Sequence, residues 1–197
     1  MKWIGLTGGI AAGKSTVTKM LRTLGYEVLD ADEFSRQVTG VGGEALPEIF
    51  STFGEAVKNQ DGSLNREFLA RLVFGHEELL RRLEAIIHPL VQKRVFASKA
   101  ELEHRGIQVV FYDVPLLFEK KMQGDFDAIV LVYCREDQQI KRLMDRSVLS
   151  QAEAEMRVRS QLPLQVKKDQ TPFVIDNTSD FKHLEEEVRR VLHVMKI

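Results

Sequence analysis

The sequence predicts an α/β fold in which a parallel sheet of about five strands is flanked by helices and carries an inserted helical subdomain. Short apolar runs alternate with longer segments of helical spacing, which is the pattern of an α/β protein. The runs are continuous, as in strands that are buried on both faces of a parallel sheet. The connection between the second and third runs, residues 31–106, far exceeds the roughly dozen residues that a crossover needs.

The predicted strands are the five apolar runs, which are Trp3 to Thr7, Tyr26 to Leu29, Ile107 to Tyr112, Ala128 to Cys134 and Phe173 to Ile175. Helices are predicted at about 14–24, 136–147 and 180–195, and in the last of these apolar residues recur at steps of three or four. Cys134 ends the fourth run and is expected to be buried as a small apolar side chain. Because proline has no N–H for a sheet ladder, the fifth strand should begin after Pro172.

The long connection predicts a core of residues 1–30 and 107–197 and an insert of residues 31–106. The insert has apolar residues at helical spacing, and a helical subdomain on one edge of an α/β sheet suits the binding of a second substrate. A smaller polar segment at about 147–168 lies between the fourth and fifth strands.

Composition narrows the function classes. The 197 residues include 28 Lys and Arg against 29 Asp and Glu, a formal net charge of −1, and 44% of them are hydrophobic. These values exclude a largely disordered chain and a nucleic-acid binder that works by bulk positive charge. A single cysteine allows no internal disulfide and favours a reducing compartment.

The start of the chain, from Lys2 to Gly13, has the length of a short signal-peptide core, but its threonine and glycines fit that interpretation poorly. No run reaches the roughly 18 apolar residues of a transmembrane helix. We therefore expect a soluble, cytoplasmic protein with no nucleic-acid or membrane partner. The sequence has no feature from which an oligomeric state can be predicted.

A glycine-rich segment follows the first strand and matches the phosphate-loop pattern G-x-x-x-x-G-K-S/T. In such a loop, backbone N–H groups point at phosphate oxygens, and the positive end of the following helix adds to the attraction. Lys14 would reach the β- and γ-phosphates, and the Ser15 hydroxyl would bind Mg²⁺. The predicted ATP-binding residues of this segment are Gly8, Gly9, Ile10, Ala11, Ala12, Gly13, Lys14, Ser15 and Thr16. A glycine-rich turn without a ligand is the structural alternative.

Two predicted strands lead to a carboxylate that could hold the water shell of Mg²⁺. The second strand leads to Asp30 and then Asp32, and the third leads to Asp113. Ligands of an open α/β sheet bind outside the carboxyl ends of its strands, so these acids should lie beside the phosphate loop. The predicted metal site is Ser15 with Asp113 or Asp30 through water. For Asp30, a helix N-cap is the alternative.

Other nucleotide-binding classes share the phosphate loop but need further motifs. A GTPase would carry Asn-Lys-x-Asp on a late strand, where this chain has Ile175-Asp176-Asn177-Thr178, and the Ser-Gly-Gly-Gln signature of transport ATPases is absent. The arginine-bearing segment at 147–168 instead resembles the lid of small phosphoryl-transfer enzymes. Basic residues such as Arg159 and Lys168 could alternatively form a solvated face.

The sequence resembles the dephospho-coenzyme A kinases along nearly its whole length. The matching segments are Ile4 to Ser15, Asp30-Ala31-Asp32, Asp61 to Arg66, His88-Pro89-Leu90-Val91, Asp113 to Glu119, Arg142, Arg146, Arg157 with Gln161, and Val174 to Asn177. The Asp-Ala-Asp, His-Pro-Leu-Val and Pro-Leu-Leu-Phe-Glu elements are far more specific than the phosphate loop. One departure lies before the fifth strand, where the family has a small residue followed by Asp and this chain has Thr171-Pro172.

The resemblance implies a P-loop kinase fold and ATP- and Mg²⁺-dependent transfer of the γ-phosphoryl group to the ribose 3′-hydroxyl of dephospho-coenzyme A. This reaction is the last step of coenzyme A synthesis. The insert would be the acceptor-substrate domain, and residues 147–168 would be the lid. Both substrates are small molecules.

The resemblance also implies roles for single residues. Asp32 would accept the hydroxyl proton, and Lys14 and Arg142 would supply positive charge at the transferred group. Arg146 would lie near the ATP phosphates, and Asn177 would face the adenine. The implied acceptor-binding residues are Asp32, His88, Asp113, Leu116, Phe118, Glu119 and Arg157.

Several of these residues have structural alternatives. His88 could be only the extended residue before a helix that begins at Pro89. Glu119 could cap a helix or form an ion pair. Phe74 and Phe118 are expected to lie in the core rather than stack on substrate. The functional alternatives are a kinase for another small alcohol, such as a nucleoside, and a nucleotide-dependent switch that acts through a protein partner.

Overall fold

A sheet of five strands organises the computed structural model, which describes residues 1–197. The strands are β1 (Lys2–Gly8), β2 (Glu27–Asp30), β3 (Val109–Asp113), β4 (Ala128–Tyr133) and β5 (Phe173–Asp176). Their order in the sheet is β2-β3-β1-β4-β5. Strand β1 pairs in parallel with β3 and with β4, and β4 pairs in parallel with β5. The predicted α/β class and the five predicted strands are confirmed.

The apolar runs form these strands because both faces of the sheet are covered. Every residue of β1 after Lys2 is buried, and so are the four central residues of β4. Trp3 of β1 stacks on the Tyr112 ring of β3, with 5.3 Å between the ring centroids. Burial on both faces removes the polar–apolar alternation of a one-sided sheet, which explains why the sequence shows continuous runs.

The chain has nine α-helices. They are α1 (Lys14–Thr23), α2 (Ala31–Val38), α3 (Leu46–Phe53), α4 (Arg66–Val73), α5 (Glu77–His104), α6 (Glu136–Arg146), α7 (Gln151–Arg159), α8 (Leu164–Lys168) and α9 (Phe181–Val194). The helices predicted at 14–24, 136–147 and 180–195 correspond to α1, α6 and α9. None of the nine is both long and apolar enough to cross a membrane.

The chain forms two compact units. One unit contains Met1–Leu29 and Gly106–Ile197, with the sheet, α1 and α6 to α9. The other contains Asp30–Arg105, with α2 to α5. In this second unit α5 is the longest element, and α2, α3 and α4 all contact it.

The interpretation of His88 as the extended residue before a helix is wrong, because Pro89 lies inside α5. Proline in a helix interior removes one backbone hydrogen bond and costs about 3 kcal/mol. The helix continues because Ile86 before the proline and Val91 and Val95 after it are all buried in the same unit. Packing of this apolar face outweighs the local cost of Pro89, which is itself exposed.

The two phenylalanines predicted to be in the core differ. Phe118 is 3% exposed, as predicted. Phe74 is 82% exposed, so the prediction for it is wrong. Phe74 follows the last residue of α4 and precedes Gly75, and its extended backbone carries it away from the helix face on which Leu69 is buried.

The departure at Thr171-Pro172 has a local explanation. Strand β5 begins at Phe173, after the proline, as predicted. The buried Thr171 hydroxyl donates to the Ile129 carbonyl at 2.6 Å and accepts from the Phe173 N–H at 3.2 Å. A side chain therefore ties the start of β5 to β4 at the place where proline has no N–H to donate.

Cys134 is buried, as predicted, directly after β4. Desolvation raises the pKa of its thiol to about 11, and the nearby positive charge of Arg142 only partly offsets that effect. The thiol is therefore neutral at physiological pH and behaves as an apolar core group.

Candidate active site

The glycine-rich segment forms a loop between β1 and α1. Gly13 immediately precedes α1 and has a φ of 96°, a left-handed conformation that glycine adopts without a steric penalty. A Cβ at Gly13 would also overlap the Asn177 side-chain amide. The Lys14 and Ser15 N–H groups at the start of α1 make no backbone hydrogen bond, and no side chain caps the helix. This end of α1 is therefore suited to bind an anion such as a phosphate group.

Lys14 at the start of α1 forms an ion pair with Asp113, the last residue of β3. The other carboxylate oxygen, Asp113 Oδ2, accepts a hydrogen bond of 3.0 Å from the Thr18 hydroxyl, one turn further along α1. Asp113 is 2% exposed. The expectation that Asp113 lies beside the phosphate loop is confirmed, and its carboxylate holds the Lys14 ammonium group there.

Asp30 and Asp32 belong to the second unit. Asp30 Oδ1 accepts hydrogen bonds from the Asp32 N–H at 2.8 Å and the Glu33 N–H at 3.2 Å, so Asp30 is the N-cap of α2. The helix-cap alternative for Asp30 is thus observed. Asp32 lies in the first turn of α2 with its side chain exposed, and the positive end of that helix stabilises its negative charge.

Arg142 and Asn177 form a chain of hydrogen bonds that ends on the phosphate loop. Arg142 Nη2 donates to the Asn177 carbonyl at 2.9 Å, and Asn177 Nδ2 donates to the Ala12 carbonyl at 2.8 Å. Arg142 Nη1 is buried without a hydrogen-bond partner. The Asn177 amide, for which the resemblance implies contact with adenine, here holds the loop, while Arg142 keeps one donor for another acceptor.

The segment 147–168, which we call the lid segment, contains α7 and α8. Arg157 on α7 and Arg146, the last residue of α6, are exposed. Arg159 forms only exposed ion pairs, at 3.7 Å with Glu136 and 3.5 Å with Glu155. The solvated-face alternative thus describes Arg159.

Two other basic residues of the lid segment are not solvated in this way. Lys168 lies over the Tyr133 ring with 4.5 Å between Nζ and the ring centroid, a cation–π contact. Lys167 is fully buried, with Nζ 2.7 Å from Glu119 Oε1. Glu119 Oε1 also accepts from the Leu162 N–H at 3.1 Å. Glu119 therefore forms an ion pair, one of its two structural alternatives, and holds the lid segment at two points.

Replacing Glu119 by Gln is expected to lower the free energy of unfolding by about 2 to 4 kcal/mol. The amide keeps an acceptor for Leu162 but leaves the buried Lys167 ammonium without an anionic partner, and breaking a buried pair costs about 3 to 5 kcal/mol. We place the loss slightly lower because the Glu119 side chain keeps 19% of its exposure. Chemical denaturation of both proteins measures the difference.

The matched control is Glu136→Gln, which breaks only the exposed pair with Arg159. Its expected cost is at most about 1 kcal/mol, as for most surface ion pairs. If both variants lost the same free energy of unfolding, the buried Lys167–Glu119 pair would stabilise the protein no more than the exposed Arg159–Glu136 pair.

The remaining predicted acceptor-binding residues lie in different environments. Leu116 is 37% exposed, in the turn after β3, whereas the neighbouring Phe118 is buried in the core. His88 is exposed on α5 of the second unit, 4.0 Å from Glu84. Of the residues in the first unit, the structure brings Lys14, Asp113, Arg142 and Asn177 together around the phosphate loop.

Sequence reasoning assigned no role to three residues that contact this site, although Gln161 is among the residues that match the family. The three are Thr18, which binds Asp113, and Gln139 and Gln161, which bind Ile10. Gln139 is 4% exposed and lies one turn from the buried Leu143 on the same face of α6. A glutamine at an apolar position of a helix was the available signal, because a buried amide needs a hydrogen-bond partner.

The comparisons with known proteins agree on one family. The dephospho-CoA kinase family model matches residues 2–183. The dephospho-CoA kinase of Bdellovibrio bacteriovorus is 46% identical over 192 residues, which are 98% of this chain and 95% of that protein. The dephospho-CoA kinase of Carboxydothermus hydrogenoformans is 41% identical over 193 residues, or 98% of this chain and 94% of that protein.

Several solved structures are similar to this chain. A crystal structure from Thermus thermophilus has a TM-score of 0.85 and 37% identity, and covers 98% of this chain and 97% of its own. The dephospho-CoA kinase of Campylobacter jejuni has a TM-score of 0.73 and 25% identity, with 98% and 96% covered. A shikimate kinase from Bacteroides thetaiotaomicron, at 16% identity, has a TM-score of 0.53 and covers 100% of this chain and 99% of its own, so it shares the fold.

Proposed function

The chain belongs to the dephospho-CoA kinase family and is an ATP-dependent phosphotransferase, and from this premise we propose how its residues transfer the γ-phosphoryl group of ATP to the 3′-hydroxyl of dephospho-coenzyme A. The products are coenzyme A and ADP. The observation that carries the proposal is the Lys14–Asp113 ion pair at a phosphate loop whose helix begins with uncapped N–H groups. Phosphoryl transfer depends mostly on positioning and charge neutralisation, which this arrangement supplies.

In the proposed reaction, the loop and the start of α1 bind the ATP phosphates. The Lys14 ammonium lies at the β- and γ-phosphates, where negative charge must be neutralised during transfer. Arg142, whose buried Nη1 has no hydrogen-bond partner, adds positive charge at the transferred group. Arg146 lies near the ATP phosphates. Asn177 keeps the loop in place through Ala12.

On the acceptor side, the unit Asp30–Arg105 binds dephospho-coenzyme A. Asp32 orients the 3′-hydroxyl and accepts its proton as the oxygen attacks the γ-phosphorus, and ADP leaves. An exposed carboxylate can do this because it needs no rearrangement to meet a substrate hydroxyl. His88, Asp113, Leu116, Glu119 and Arg157 remain proposed acceptor contacts, whereas Phe118 can contribute only through the core packing beneath them.

The residues at the loop also fit a magnesium ion. No group of three His, Cys, Asp or Glu side chains forms a ready metal cage, but Mg²⁺ with nucleotides uses one or two carboxylates, waters and the phosphates themselves. The exposed Ser15 would hold the ion, with Asp113 or Asp30 through water. An ion held there would neutralise negative charge on the phosphates during transfer.

The test is a coupled assay of ADP release with purified protein, ATP and a series of acceptors. We expect phosphorylation of dephospho-coenzyme A with a kcat/KM at least about 100-fold above that for adenosine or other nucleosides, since these lack most of the acceptor's binding contacts. A preference for a nucleoside would identify a kinase for another alcohol. Nucleotide hydrolysis that required a protein partner and ignored every alcohol would indicate a switch.

A further inference from the structure

Two glutamine side chains hold the peptide groups of Ile10 at the tip of the phosphate loop. The Ile10 N–H donates to Gln161 Oε1 at 2.8 Å, and the Ile10 carbonyl accepts from Gln139 Nε2 at 2.7 Å. The N–H and the carbonyl belong to successive peptide units, so the two bonds restrain the orientation of both units. Gln139 comes from α6, and Gln161 lies just after α7.

The pair Gln139 and Gln161, which we call the clamp, lies so close to the loop that Gln139 leaves no room for a side chain at Gly9. A Cβ at Gly9 would overlap Gln139 Nε2 and lie 3.2 Å from Leu164 Cγ. Gly9 and Gln139 are both buried, so this contact is part of the interior. The second residue of the loop is therefore a glycine for a tertiary reason, which is the approach of Gln139.

Apolar packing also holds the tip of the phosphate loop. Ile10 and Ala11 pack against a core cluster of Leu143, Ala154 and Val158. Leu143 belongs to α6, and Ala154 and Val158 belong to α7 of the lid segment. The tip of the phosphate loop is thus attached to both helices by polar and apolar contacts.

The position of Gln161 is itself fixed. The next residue, Leu162, donates its N–H to Glu119, which also pairs with the buried Lys167 of α8. Residues on both sides of Gln161 are thus held, by the apolar cluster under α7 and by Glu119. Because these contacts restrain the backbone around Gln161, less backbone freedom is lost when its side chain binds Ile10.

We propose that Gln139 and Gln161 are positioning residues that preorganise the phosphate loop for ATP by attaching it to α6 and to the lid segment. The inference rests on the proposed binding of ATP at this loop. Amide side chains suit the task because they supply one donor and one acceptor without charge. A carboxylate in place of Gln161 would accept the same bond but repel the phosphates.

The decisive variant is Gln161→Met, which keeps the length of the side chain and removes the acceptor. We expect ATP to bind about 3- to 10-fold more weakly by calorimetry, the factor that corresponds to one net hydrogen bond. The KM for dephospho-coenzyme A should stay within about 2-fold, because Gln161 binds only the ATP loop. If Gln161 had only a structural role, the variant would change the ATP affinity and the KM for dephospho-coenzyme A together, or would change neither.

The matched control is Gln165→Met on α8, an exposed glutamine that bonds only Asp169. It should bind ATP like the wild type. If Gln161→Met also binds ATP like the wild type, or raises both KM values equally, the inference is wrong while the proposed function stands. If the wild type itself binds no ATP, the proposed function fails instead.

A double-mutant cycle tests the joint action. Gln139→Met alone should also weaken ATP binding, and the double variant should lose less than the product of the two single effects, because both side chains restrain the same residue. Independent effects would contradict a joint clamp. Gln139 is buried, so if Gln139→Met does not fold, the half-buried Gln161→Met with its control decides alone.

Discussion

Replacing Lys14 by Ala is expected to lower kcat/KM for ATP by about 100- to 1000-fold, the range for removing one preorganised charge or donor from a transferring group. Lys14 is the cation at the start of α1, and its ion pair with Asp113 fixes its ammonium group at the loop. The variant loses that cation and leaves the nearly buried Asp113 carboxylate facing the phosphates. Steady-state kinetics with saturating dephospho-coenzyme A measure the effect.

Lys19→Ala is the matched control for that variant. Lys19 lies on the same helix, is exposed and is outside the loop, so its removal should change kcat/KM by less than about 2-fold. Thermal denaturation of both variants separates a lost site from a lost fold. Unchanged kcat/KM in Lys14→Ala would remove the phosphate-binding role from this loop.

The second large loss of activity is expected for the variant Asp32→Asn. The amide keeps the size of the side chain but cannot accept a proton from the 3′-hydroxyl. We expect kcat to fall by about 100- to 10,000-fold, the usual contribution of a general base. The Kd for ATP, measured by calorimetry without acceptor, should not change, because the phosphates bind at the loop of the other unit.

Glu33→Gln, at the next position of α2, is the control for the acceptor side. This variant removes one negative charge from the same helical turn but keeps Asp32. Its kcat should therefore stay within about 3-fold of the wild type. Near-normal turnover in Asp32→Asn would show that this carboxylate is not the base. Equal losses in both variants would instead point to a general effect of charge on α2.

Features of the fold could be predicted from the sequence where their physical cause lies in a short stretch of chain or in a general rule of parallel sheets. The five strands were predictable because burial on both faces demands uninterrupted apolar runs, and α1 was predictable because the loop motif opens a helix at Lys14. Asp113 could be placed beside the loop because parallel strands bring their carboxyl ends to one edge of the sheet. The start of β5 after Pro172 followed from the missing N–H of proline.

The two wrong predictions, for Pro89 and for Phe74, have the same cause. The cost of Pro89 to a helix is a local property, but the buried residues on either side of it decided that α5 continues. Phe74 was assigned to the core from its residue type, yet the end of α4 leaves it exposed. In both cases the deciding quantity was the packing of a whole unit.

The sequence by itself therefore determined the fold class, the phosphate loop and the family, because motifs and apolar periodicity are written within short stretches of chain. Only the tertiary structure decided which side chains support that loop. Gln161 and Ile10 are 151 positions apart, and Asn177 and Ala12 are 165 apart. Such hydrogen bonds depend on the sheet order and on the packing of α6 and α7, and therefore no local pattern could specify them.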